Sequence, residues 1–185
     1  MLKDILRNAE ERMKKAVEVT RQELVKIRTG RASTALLDGV KVDYYGTMTP
    51  INQLASVGTP DLHLITVQPW DKSMIGPIEK AILAANLGLN PANDGTIIRI
   101  PIPPLSEERR KELVKLTKKF GEEGRIAIRN VRRDAIEHLK RAEKDEHISE
   151  DERKRAEEEA QKMTDKHIKE IDQLLAQKEK EIMEV

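Results

Sequence analysis

Proline and glycine are distributed so unevenly that they dictate where long helices can form. All eight prolines and seven of the nine glycines lie between Gly30 and Pro104, and both flanks, 1–29 and 105–185, are free of proline. Proline removes a backbone donor and blocks an interior helical turn, so long helices are confined to the flanks. The middle must be assembled from short elements and turns.

Both flanks carry the three-and-four spacing of an amphipathic helix. In the first, Leu2, Ile5, Leu6, Ala9, Met13, Ala16, Val17, Leu24 and Ile27 form one apolar stripe that ends at Thr29-Gly30. In the second, Ser106 followed by Glu107 and Glu108 starts a helix that keeps Leu113, Leu116, Phe120, Ala127, Val131, Ala135 and Leu139 inward as far as about Lys144. At ~1.5 Å per residue it spans about 60 Å. Ser149 and Glu152 then have the spacing of a capping box, opening a last helix with Ala156, Ala160, Met163, Ile168, Ile171, Leu175 and Ile182 on its inner side. The DEHIS linker between the two is short enough to demand an antiparallel hairpin.

In the middle segment, residues 40–45 and 62–67 and the stretch 96–102 after the Asp94-Gly95 turn read as strands. Asp71 caps a helix expected to run to about Asn86, stopped by Gly88, with Ile78, Ile82, Leu83 and Ala85 as its buried face. Three helices that each need a partner, and an insertion of different character, give an α+β fold of two domains. Residues 1–30 and 106–185 make a long antiparallel three-helix bundle, and 31–105 an inserted small mixed α/β, β-rich domain. The two crossings, about 28–32 and 101–105, form a hinge containing Thr29, Gly30, Ala32, Pro101, Pro103, Pro104 and Leu105.

With 36% charged residues, 2% aromatic and no cysteine, the core is aliphatic and neither disulfides nor thiol nucleophiles are available. The charged N-terminus is neither a signal peptide nor a membrane span, which points to the cytoplasm. The formal net charge of +1 conceals opposed surfaces: residues 1–30 and 106–147 each carry +3, 31–105 carry −1 and 148–185 carry −4.

Positive charge is densest in RIAIRNVRR, where Arg125, Arg129, Arg132 and Arg133 follow helical spacing with no acid until Asp134. Arginine's planar fork gives paired, permanently charged hydrogen bonds to phosphate, so this row is a candidate contact for an RNA backbone; the competing reading is a solvated face paired with acids of the last helix. Arg28 and Arg31, around Gly30, extend the candidate set. The scarcity of aromatic rings disfavours single-strand readout by stacking. Asp134, Glu137 and His138 share a helix face but read as surface ion pairing, not a metal site. His63, His147 and His167 form no catalytic constellation, and Gly121 and Gly124 read as a point of close helix approach or softness. No catalytic residue, metal or cofactor is expected.

The blocks KIRTGRAS (26–33), DYYGT (43–47), LGLNP (87–91), PIPPLSEERRKEL (101–113), IRNVRRDA (128–135) and ISEDE (148–152) together resemble the bacterial ribosome recycling factor family from end to end. The resemblance implies an L-shaped molecule with a flexible hinge and no active site. It implies action on the 70S ribosome after termination, with GTP-bound elongation factor G, to split the subunits and allow release of mRNA and deacylated tRNA. It also implies that Arg129, Arg132 and Arg133 contact large-subunit rRNA and that Arg28 and Arg31 make hinge-proximal contacts. Arg125 is added from helical spacing alone. A monomer is expected. Two other classes compete: a helical protein-interaction adaptor or chaperone module without RNA binding, and an enzyme using Tyr44, His63 and Trp70.

Overall fold

The computed structural model describes residues 1–145 and 147–184. Glu146, in the expected DEHIS linker, lies outside the described residues. The chain divides into two compact units, one of Met1–Arg28 with Glu107–Glu184, the other of Thr29–Ser106.

The first unit consists of α1 (Leu2–Val25), α3 (Glu107–Lys144) and α4 (Glu150–Met183), each packed against the other two. Cross-helix partners fix the directions. Ascending α3 through Arg125, Arg132 and Glu143 meets α4 at Asp172, Gln161 and Arg153, and meets α1 at Thr20 before Arg12, so α3 runs antiparallel to both. Met13, Ile128, Leu139, Ala160, Ile171 and Ile182 are fully enclosed. Four polar groups share this interior. Thr20, Thr117 and Thr164 return their hydroxyls to carbonyls four residues earlier, at Ala16, Leu113 and Ala160, and His167 bonds through Nδ1 to the Met163 carbonyl. Each thus keeps a partner within its own helix, which offsets the cost of leaving water.

Ser149 and Glu152 do form the reciprocal capping box at the start of α4. The expected stop of α1 at Thr29-Gly30 comes earlier: the helix ends at Val25 and Lys26 is its cap. Of the neighbouring pair Ala127 and Ile128 on α3, Ile128 is fully buried and Ala127, expected inward, only half-buried. One position is a turn of 100°, and Ile128 continues the Gly121-Gly124 line where α3 is closest to its neighbours.

The second unit holds a hairpin of β1 (Lys41–Tyr44) and β2 (Thr47–Pro50), and a four-stranded sheet in the order β3-β4-β6-β5, where β3 is Ala55–Asp61, β4 Leu64–Pro69, β5 Ala92–Asn93 and β6 Ile98–Pro101. Every pairing is antiparallel. Alternate residues Ile65, Val67, Ile98 and Ile100 supply the sheet's inner face and meet Val42 and the helix α2 (Ile75–Ala84) in one core. Strand β3, with Gly58 and Pro60, has the composition of an edge strand and showed no strand signal in the sequence. The strand expected over 62–67 starts two residues later because Leu62-His63 forms the β3–β4 turn. Asp71 caps a 3-10 turn, Lys72–Met74, that leads into α2, and α2 buries Ile75, Ile78 and Ile82. Leu83 and Ala85, expected inward, are exposed: Leu83 is one position past Ile82 and so off the line set by the isoleucines, and Ala85 lies beyond the last turn of α2 as its cap.

Candidate nucleic-acid interface

The arginines of α3 occupy the flank of the helix beside its buried line, and their environments differ. Arg125 is largely covered, with its side chain 23% exposed. Its Nη2 and Nε donate to Asp172 Oδ1 of α4 at 2.5 and 2.9 Å, and Nη1 reaches Glu122 at 3.3 Å. Those hydrogen bonds and charges, Asp172 foremost, raise the Arg125 pKa against the effect of burial. Arg132 Nη1 donates to Gln161 Oε1 of α4 at 2.9 Å, while its Nε is buried with no partner among the described residues. Arg129, further round the helix, pairs with Glu122 at 3.3 Å and leaves nearly half of its side chain in solvent. Arg133 is exposed.

The row is therefore graded. Arg125 ties α3 to α4, Arg132 is held at one nitrogen by a neutral amide, and Arg129 and Arg133 present their charge outward. Glu122, three and seven residues before Arg125 and Arg129, was visible in the sequence as a partner. Asp172 and Gln161 were not, because pairing them with particular arginines needs the α3–α4 register.

The helix beneath is held tightly where the row begins. A Cβ on Gly121 would sit 2.3 Å from Leu175 Cδ1, and one on Gly124 would sit 2.3 Å from Thr20 Oγ1 and 2.8 Å from Ile171 Cδ1. Of the two readings of these glycines, close approach is the observed one: α3 meets α4 at Gly121 and both α1 and α4 at Gly124.

Arg28 and Arg31 are both exposed. Of the expected hinge residues, Gly30 has φ +73° and packs on Leu105, whose Cγ would be 2.9 Å from an added Cβ and whose backbone N would be 3.3 Å away. The β3–β4 turn holds both chain crossings. The Leu62 carbonyl accepts from Ala32 N at 2.6 Å, the His63 carbonyl accepts from Ile102 N at 2.8 Å, and His63 Nδ1 donates to the Gly30 carbonyl at 3.1 Å. The His63 imidazole thus serves a structural bond. Thr29 is buried, Ala32 and Leu105 are half-buried, and Pro101, Pro103 and Pro104 are exposed.

Asp134 is paired with Arg12 of α1 at 3.0 Å and Glu137 with Arg141 at 2.9 Å, and no group of three potential ligands close enough for a metal occurs among the described residues. No helix among them is long and apolar enough to cross a membrane.

Comparison with known proteins decides the family. The ribosome recycling factor profile matches residues 20–183, nearly the whole chain. The chain belongs to the ribosome recycling factor family. It is 60% identical over 185 residues to the ribosome-recycling factor of Symbiobacterium thermophilum, covering 100% of both chains. The Lawsonia intracellularis ribosome-recycling factor is 60% identical over 181 residues, covering 98% of this chain and 96% of that one. Among solved structures it is similar to a solution structure of the ribosome recycling factor, with TM-score 0.77, 52% identity and coverage of 100% and 98%. It is also similar to the Thermus thermophilus ribosome recycling factor placed with Escherichia coli elongation factor G on the E. coli post-termination complex, with TM-score 0.64, 50% identity and 99% coverage of both chains. Ribosome recycling factors are translation factors and not enzymes, so the function to be explained is recycling and the chemistry is that of binding.

Proposed function

We propose that this recycling factor is a cytoplasmic monomer that docks on the post-termination 70S ribosome by laying the outer flank of α3 on large-subunit rRNA. Arg129, Arg132 and Arg133 supply the phosphate contacts, Arg28 and Arg31 add contacts from the chain crossing, and Arg125 contributes only the donors not already committed to Asp172 and Glu122. The observation that carries this reading is the graded row itself. A 38-residue helix, fixed to its neighbours on one flank, offers the forks of Arg129, Arg132 and Arg133 on the other, where Glu122 is their one acidic partner among the described residues. RNA phosphates displace such a weak surface partner readily, because exposed ion pairs contribute only about 0–1 kcal/mol.

Elongation factor G, in its GTP-bound form, then acts on the bound factor. Its displacement of the α/β unit or of the crossings at 28–32 and 101–105 is passed into the bundle, and the subunits separate, freeing mRNA and deacylated tRNA. The close packing at Gly121 and Gly124 keeps the bundle from absorbing that displacement. The bonds from Leu62 and His63 confine rotation to the few residues on the bundle side of Gly30 and Leu105.

The test is subunit splitting of purified post-termination complexes, followed by light scattering. Splitting is expected only when this chain, elongation factor G and GTP are all present. Splitting by the chain alone would refute the mechanism.

A further inference from the structure

Trp70, the only tryptophan in the chain, is 70% exposed. Its backbone is nevertheless firmly placed. Pro69 pairs with Ala55 on the last rung between β4 and β3, Trp70 N donates to the Leu54 carbonyl at 3.2 Å, and the next residue, Asp71, is fixed as the cap on Ser73. The indole edges a groove of about 630 Å³ whose floor is the buried Leu37, Ile51 and Ala55. Its polar rim includes Asp38, which closes the 3-10 turn Thr34–Leu37, and Asn52 and Gln53 of the 3-10 turn Ile51–Gln53.

Charge narrows the occupant. Asp38 is the one ionisable residue lining this groove, and no lysine or arginine lines it. A phosphate-bearing ligand would meet the exposed Asp38 carboxylate with no cation lining the groove to receive it. A purely apolar ligand would strip water from that carboxylate without replacing its hydrogen bonds. A cation resolves both conditions, since an aromatic face attracts it and the carboxylate pairs with it. Arginine fits better than lysine: its planar guanidinium can stack flat on indole, and its five donors suit a rim that offers carboxylate and amide oxygens.

We propose that this groove of the α/β unit is a docking site for an arginine side chain from a basic segment of a protein partner. The surface is separate in chemistry from the arginine row of α3, which takes RNA, and the two readings stand or fall independently.

Because the chain has one tryptophan, its emission reports the groove directly. The probe is the peptide acetyl-Gly-Arg-Gly-Arg-amide, with the citrulline peptide as a neutral isostere and oligouridylate as a nucleic-acid control. Saturable change in Trp70 emission is expected with the arginine peptide, about tenfold weaker with citrulline and about tenfold weaker for Asp38→Asn, as expected for loss of a charge-assisted bond. The side-chain amide signals of Asn52 and Gln53 should shift in the same titration, which separates groove binding from quenching in bulk. An equal response to citrulline, an unchanged affinity in Asp38→Asn, a response to oligouridylate alone, or no saturation would each overturn the proposal. Loss of the arginine site while ribosome splitting stays intact would leave the recycling mechanism standing.

Discussion

Gly124 shows how one missing side chain sets the spacing of three helices. Glycine in a helix interior costs about 1 kcal/mol relative to alanine, so on propensity alone Gly124→Ala should stabilise the bundle. The added methyl would, however, meet Thr20 Oγ1 from α1 and Ile171 Cδ1 from α4 at once, and no single rotamer change relieves both. Overpacking of this kind costs about 1–3 kcal/mol, so Gly124→Ala is predicted to lower stability in chemical denaturation by about 1–2 kcal/mol. Gly121→Ala should cost less, since its nearest clashes are all with the one side chain of Leu175, and Thr20→Ala should partly rescue Gly124→Ala. A Gly124→Ala variant more stable than the parent would show that helix spacing there is adjustable. The same glycines mark a limit of sequence reading. Close approach was one of two readings open, and the choice depended on which side chains of α1 and α4 face α3, which only the register supplies.

Among the elements, two termini are held by named groups whose removal has a measurable effect. The capping box at Ser149 satisfies donors at the start of α4, and Ser149→Ala is predicted to lower stability by ~1 kcal/mol, read as a shift in denaturation midpoint with an unchanged slope. In the turn before β6, Asp94 accepts from Ile97 N at 2.9 Å, from Arg99 at 2.7 Å and from Thr96 N at 3.0 Å. These bonds, that from Ile97 first, hold its carboxyl well below the usual carboxylate range. A depressed folded-state pKa means that its contribution is complete above the unfolded value of about 4 and is lost as pH falls towards the folded one. The Thr96 and Ile97 amide signals are therefore predicted to hold steady from neutrality to about pH 4 and to move only below it; Asp94→Asn should abolish that low-pH step. A step centred near pH 4 or above would contradict the assignment. The long helices were legible because their periodicity extends over many turns and their caps are local. Strand β3 was not, because glycine and proline at an edge obscure alternation, and Leu83 of α2 was placed inward because a short helix contains too few repeats to separate it from Ile82.

For the whole molecule, sequence supplied the arginines and their common flank, and the family supplied the ribosome. The structure contributes the inequality among them: Arg125 is mostly spent inside the protein, Arg132 partly, Arg129 and Arg133 hardly at all. Binding to isolated large ribosomal subunits as a function of salt tests that ranking most directly, because removing one arginine–phosphate pair should flatten the log-log slope by about 0.7–0.9. Arg129→Ala with Arg133→Ala is predicted to flatten the slope by the equivalent of about two such pairs, or ~1.4–1.8, with folding unchanged and subunit splitting impaired. Arg125→Ala should change the slope little and weaken the α3–α4 packing instead. A double variant with the parent's slope, affinity and splitting rate would contradict the account, because the outer flank of α3 would then not be the surface that meets RNA.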